Sequence, residues 1–231
     1  MQVWDKLIYS GAVLERERYQ LFRGGGIKSR RPNTRFSTDR QRKLNTINSK
    51  KKLTRLINSN FVPGDLFVTL TYDSEFYPAD IEEADRDLEN YFRRIKYALE
   101  KAGIKSLKYV AVTGRGSKRG RIHHHFIVPA MGLEILRSRW KRGNVKIKPL
   151  KNYRDYTGIA LYLYNHYTTG KRWKQSHYLK RPKPKKKIMK RHFRPDTRPH
   201  VPKGYRLIEE NTQYNDITGI LQYFKYIRLD S

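Results

Sequence analysis

The sequence predicts an α+β fold: a central antiparallel sheet with flanking helices, in the order β-α-β-β-α-β-α. Three observations carry this. Short runs rich in β-branched and aromatic residues recur at "LFVTLTY", "SLKYVAVTG", "RIHHHFIVPA" and "NVKIKPL", the pattern of strands. Between them, apolar residues return every three or four positions, the period of a helix with one buried face. The length of 231 residues suits one domain with an added arm or tail.

Residues 1–62 read as a basic N-terminal arm and helix. "RGGGIKSRRPNTR" mixes Gly, Pro and cations, the composition of a mobile arm. "STDRQRKLNTINSKKKLTRLINSN" (37–60) opens on a Ser/Thr/Asp cap and sets Leu44, Ile47, Leu53, Leu56 and Ile57 roughly on one face, so it predicts a basic helix that "PGD" ends. A core follows over 63–170. "LFVTLTY" (66–72) is a strand. Residues 78–103 form the clearest helix, with Leu88, Tyr91, Phe92, Ile95, Ala98 and Leu99 on its buried face and Gly103 as its stop. Strands at 106–114 and 121–130 are joined by the basic loop "RGSKRG". A short helix (133–143), a strand (144–150) and a helix (153–170) complete the core. Residues 171–203 are rich in Lys, Arg and Pro and read as an extended, basic DNA-binding segment. Residues 204–231 return to strand-like patterns and read as an extension of the same domain.

The charge has one sign. Lys and Arg number 51 against 21 Asp and Glu, a formal net charge of +30. Self-repulsion on that scale points to a polyanion partner, nucleic acid before a membrane surface. Acidic residues concentrate in 73–100, so one segment faces away from that partner. The absence of cysteine excludes disulfides, zinc–thiolate sites and thiol nucleophiles, and fits a reducing compartment such as the cytoplasm. "MQVWDKLIYSGAVLERER" lacks a basic stretch followed by an apolar run, so no signal peptide is expected.

Three of the seven histidines stand together in "GRGSKRGRIHHHFIVPA" (114–130). On a strand, His123 and His125 share one face and His124 takes the other. Two imidazoles so spaced can reach one divalent ion; the alternative is a patch that is merely exposed or stacks on nucleic acid. Lys118, Arg119 and Arg121 flank this strand and suit phosphate contacts. Lys171, Arg172, Trp173 and Lys174 follow the last core helix; cations beside an indole suit single-stranded DNA.

His-x-His on a strand, with tyrosines downstream in "GIALYLYNHYTTG" and then "KRWKQSHYLKRP", resembles the HUH endonuclease superfamily. Within it, residues 63–182 are similar to rolling-circle replication initiators (Rep) of filamentous-phage and small-plasmid type. The resemblance implies a HUH/Rep-like sheet, a Mg2+ or Mn2+ cofactor, and a tyrosine that nicks single-stranded origin DNA. It further implies a 5′-phosphotyrosine, a free 3′-OH extended by host polymerase, a host helicase as partner, no membrane, and a bacterial cytoplasmic setting. The family register places the nucleophile at Tyr162, with Tyr164 and Tyr167 as the other candidates. Two positions depart from the family. Asn165 stands where a lysine is usual, and "YVAVTGRG" offers Gly114 and Arg115 where a glutamate commonly completes the metal site. His166 lies four residues after Tyr162, hence on the same helix face, and can supply the missing ligand; otherwise it is a surface residue at a helix end. Position 158 is Gly and 166 is His, so Tyr162 has no second tyrosine four residues away. A transposase of the same chemistry and a non-catalytic nucleic-acid-binding protein are the alternatives. His124, facing away, is expected to tolerate leucine.

Overall fold

The computed structural model describes residues 2–21, 38–116, 120–166, 173–189, 197–215 and 219–229. In chain order the elements are β1 (Gln2–Ser10), β2 (Val13–Leu21), α1 (Asp39–Asn60), β3 (Leu66–Thr71), a 3-10 turn (Ser74–Phe76), α2 (Ile81–Lys101), β4 (Val110–Arg115), β5 (Ile122–Val128), α3 (Leu133–Arg139), β6 (Val145–Pro149), α4 (Thr157–Asn165), β7 (Lys174–Gln175), β8 (Lys185–Met189), β9 (Tyr205–Asn215) and β10 (Gly219–Arg228). The fold is α+β, with two five-stranded antiparallel sheets. They belong to two compact units, Lys52–Lys180 and Met1–Lys51 with Arg181–Ser231.

In the first unit the strand order is β6-β3-β5-β4-β7. Alternation sends Val68, Leu70, Ala111, Phe126 and Val128 to one face, where α2 buries Leu88, Tyr91, Phe92, Ile95 and Leu99 against them. Each such side chain contributes about 1.5–3 kcal/mol by leaving water. Helix α2 starts where Asp80 accepts the Glu83 N–H at 2.7 Å, satisfying a backbone donor that the helix cannot. The opposite face carries Val110, Val112 and Ile127 and is covered by Ala160, Leu163 and Tyr164 of α4 with Leu53, Leu56 and Ile57 of α1. Leu44 and Ile47, expected on the same stripe of α1, are instead exposed. The start of α4 is pinned: the Asn58 carbonyl oxygen accepts the Tyr156 N–H at 2.8 Å, and Asp155 accepts from Asn58 and from the Thr157 N–H and hydroxyl. That anchor fixes which residues of α4 look at the sheet.

The second unit has the order β8-β1-β2-β10-β9. Here the structure departs from the expected organisation. Residues 2–21 are a β-hairpin rather than an arm, turning at Gly11 (φ 61°) and Ala12, the two-residue connection with glycine first that suits strand twist. The strands of 204–231 pair with it in a sheet of their own and do not extend the first one. Part of the basic segment, Lys185–Met189, pairs with β1. The hairpin escaped the sequence reading because charges occupy its inward positions: Asp5 is buried and takes two hydrogen bonds from Arg16, at 2.8 and 2.6 Å, while Lys6 reaches Glu17 at 2.6 Å. Paired charges hide the apolar alternation that marks a strand. The "RGGGIKSRRPNTR" run lies outside the described residues. Among the described residues no helix is long and apolar enough to cross a membrane.

Candidate active site

Strand β5 lies between β3 and β4, so both its edges are hydrogen-bonded and its side chains are held in register. His123 stands opposite Thr71 and Gly114; His125 stands opposite Thr69 and Val112. Both point to the face that α4 covers. His124 points to the α2 face, where it is fully buried. Its Nε2 lies 2.8 Å from the Tyr72 hydroxyl and its Nδ1 2.9 Å from the Thr113 hydroxyl. Tyr72 also donates to Asp87 at 3.3 Å, Thr113 to Asp85 at 2.5 Å, and Arg142 pairs with Asp87 at 3.0 Å. Burial and the neighbouring histidines push His124 down to about 3, so it is neutral with a single N–H. It donates to one hydroxyl and accepts from the other. The expected tolerance of leucine at 124 is therefore corrected, since leucine cannot bridge these groups. His124→Leu should lower the unfolding free energy by about 1–3 kcal/mol, two net hydrogen bonds' worth, measured by chemical denaturation. An unchanged midpoint would mean the bridge adds nothing.

On the other face, His123, His125 and His166 bring one ring nitrogen each to within 4.8 Å of the others. Their outer nitrogens are engaged. His123 Nδ1 lies 3.0 Å from the Arg121 carbonyl and His166 Nδ1 2.7 Å from the Tyr162 carbonyl. A carbonyl only accepts, so both Nδ1 atoms carry the proton and both Nε2 atoms keep a free lone pair. His125 Nδ1 meets the Thr69 hydroxyl at 2.9 Å, and its Nε2 lies 3.1 Å from the Tyr162 hydroxyl. Outer partners that fix ring orientation are what a metal-binding histidine needs. Nitrogens sharing one ion stand about 3–3.5 Å apart when metal–nitrogen bonds are about 2.0–2.1 Å. Ring rotations alone bring the three to that spacing, so the residues fit an ion. Burial first, then the neighbouring histidines, hold His125 down at about 3; burial first also lowers His123. Both are unprotonated at neutral pH, as ligands must be.

Tyr162 completes the group. It is 42% exposed, and its ring lies tilted over His166 with centroids 3.9 Å apart and edge-on to Phe67 at 5.9 Å. Partial burial raises its pKa. Tyr164 packs into the core beneath α4. Tyr167, Lys118, Arg119, Lys171 and Arg172 lie outside the described residues. Arg121 is exposed, 3.4 Å from the Tyr72 carbonyl and over the Tyr77 ring. Trp173 is half-buried against the α4-side core and donates to Gln175. Lys174, expected to meet phosphate, is matched by Asp85 at 3.3 Å and by Glu89; two carboxylates already neutralise it.

Gly114 explains the departure before the histidines. A Cβ built there would collide with the His166 carbonyl oxygen. The end of α4 thus occupies the space a side chain at 114 would need, so a glutamate at 114 and His166 in its present place exclude each other. Gly114, Thr69 and the His124 bridge were not picked out from the sequence. Nor were Lys146 and Lys148, although the alternation in "NVKIKPL" sets them on one face.

Residues 65–169, slightly under half of the chain, match the family model of replication-associated proteins of the ORF2 type. No curated protein and no solved structure shows a significant match to the chain.

Proposed function

We propose, taking the replication-associated family match as the premise, that this chain nicks single-stranded DNA at a replication origin through Tyr162. One observation carries the reading: an accessible tyrosine hydroxyl 3.1 Å from the buried imidazole of His125, itself grouped with His123 and His166. A family match alone speaks for DNA replication; the reaction is argued from this constellation. The second sheet and the +30 charge add electrostatic affinity for DNA.

In this reading the Tyr162 oxygen attacks phosphorus, the new O–P bond forms and the bond to the 3′ oxygen breaks. The exposed phenol gives its proton to solvent, and the departing oxygen takes one back as a 3′-OH. One phosphodiester is exchanged for another, so resealing needs no ATP. A divalent ion held by His123, His125 and His166 would polarise the phosphate and offset its charge. An all-imidazole set suits Mn2+ better than Mg2+, a harder ion that prefers oxygen ligands. Phe67 and His166 confine the tyrosine ring, which limits the orientations the oxygen samples.

The test is incubation with labelled single-stranded oligonucleotides and Mn2+, followed by denaturing electrophoresis. A denaturant-resistant adduct is expected. Binding without an adduct would leave a non-catalytic nucleic-acid-binding protein. A second expectation concerns Gly114→Ala. The added methyl must push His166 away, which should weaken Mn2+ binding about 10–100-fold, the range for disturbed ligand orientation. Calorimetric titration reads it, and wild-type affinity would remove His166 from the metal set.

A further inference from the structure

A cleft of about 590 Å3 opens beside Tyr162 and shares Tyr162 and His125 with the site above. Three adjacent strands build its floor in register: His125 of β5 stands opposite Thr69 of β3, which stands opposite Lys146 of β6. One row further along, Phe67 stands opposite Lys148. The floor is thus aromatic beside the tyrosine and cationic at the outer strand. Lys151 and Tyr153 close the far side; Tyr153 is 57% exposed, and the next residue, Arg154, holds a left-handed backbone at φ 55°. Such a conformation costs a non-glycine residue energy and persists where the surroundings demand it. Lys146, Lys148 and Lys151 have no ion pair among the described residues, unlike Lys174. The α4 wall is open because residue 158 is glycine: a Cβ there would meet nothing within 4 Å.

We propose that this cleft holds one nucleotide of the substrate strand next to the scissile phosphodiester, its base between Phe67 and Tyr153 and its phosphate on Lys146 and Lys148. The inference rests on the nicking reading, because it places the nucleotide by its neighbour at Tyr162. The chemistry selects the occupant. A flat π-face beside unpaired cations matches single-stranded nucleic acid, where stacking and phosphate pairing act together, and the volume lies within the range of about 300–1,000 Å3 for small-ligand sites. Gly158 keeps the cleft open; a longer side chain would enter the space the base needs.

The experiment uses the full chain without metal and a random-sequence single-stranded oligonucleotide containing 5-iodouracil, which on irradiation couples to an aromatic ring it stacks on. In the wild type, cross-links should map to Phe67 or Tyr153. In Gly158→Leu their yield should fall about tenfold, within the range for a lost base stack. Leucine favours helix over glycine, so thermal stability should hold, and total DNA binding should stay within about twofold because most of it is electrostatic. Cross-links confined to other residues, undiminished cross-links in Gly158→Leu, or no binding at all would overturn the proposal. The adduct assay with Mn2+, run in parallel, judges the nicking reading separately. Cross-links without an adduct leave the nucleotide subsite and remove the nuclease; an adduct without these cross-links does the reverse.

Discussion

Tyr162→Phe should abolish the denaturant-resistant protein–DNA adduct completely while leaving folding and DNA binding unchanged. The substitution removes one oxygen. That oxygen is partly exposed and its contact is with His125 Nε2, so the net stability change should stay below about 1.5 kcal/mol. The ring keeps its contacts with His166 and Phe67, and phosphate contacts come from other residues. Chemistry and structure are therefore separable in this variant. Tyr164→Phe is the control, since that ring lies in the core under α4; it should retain the adduct. Tyr167→Phe should retain it too. An adduct that survives in Tyr162→Phe and vanishes in either of the others would move the nucleophile along the helix.

His125→Ala should be nearly as severe. His125 sits between His123, His166 and Tyr162, and its ring touches all three. Its loss removes one of three nitrogen ligands, and the adduct rate at fixed Mn2+ should fall more than the roughly 10–100-fold typical of disturbing a ligand's outer partner. His123→Ala should behave alike. His166→Ala is graded: if it is the third ligand, the rate should recover at much higher Mn2+. The measurement is adduct rate against Mn2+ concentration, with DNA affinity followed separately. Wild-type Mn2+ dependence in His125→Ala would remove the metal centre from the mechanism, and a similar result in His166→Ala would return that residue to a helix-end role.

Much of the site was legible in the sequence. Alternation on β5 put His123 and His125 on one face because a two-residue period follows from backbone geometry alone. The helical spacing of Tyr162 and His166 was legible for the same reason. What local pattern could not supply was the identity of neighbours across strands. Thr69 and Lys146 join His125 in one row only through the β6-β3-β5 pairing. His124 looked replaceable by an apolar residue because nothing nearby in sequence announces Tyr72 and Thr113 as its partners. The N-terminal hairpin was invisible for a different reason: Asp5 and Arg16 satisfy each other inside, so hydrophobicity no longer reports which positions are buried.

The pairing of β2 with β10 carries a consequence for biosynthesis. Val13 lies opposite Ile227, so this sheet closes a contact spanning about 200 residues, the kind of non-local pairing that slows folding. The segment from Lys52 to Lys180 is continuous and has its own core, so it can fold while the ribosome is still at work. The N-terminal hairpin, although synthesised first, must wait as an incomplete ribbon until the last strand emerges. A two-stranded ribbon is marginal in water and offers an open edge. Chains interrupted before Gly219 should therefore present β2 as a sticky, protease-sensitive end beside an already folded histidine–tyrosine unit.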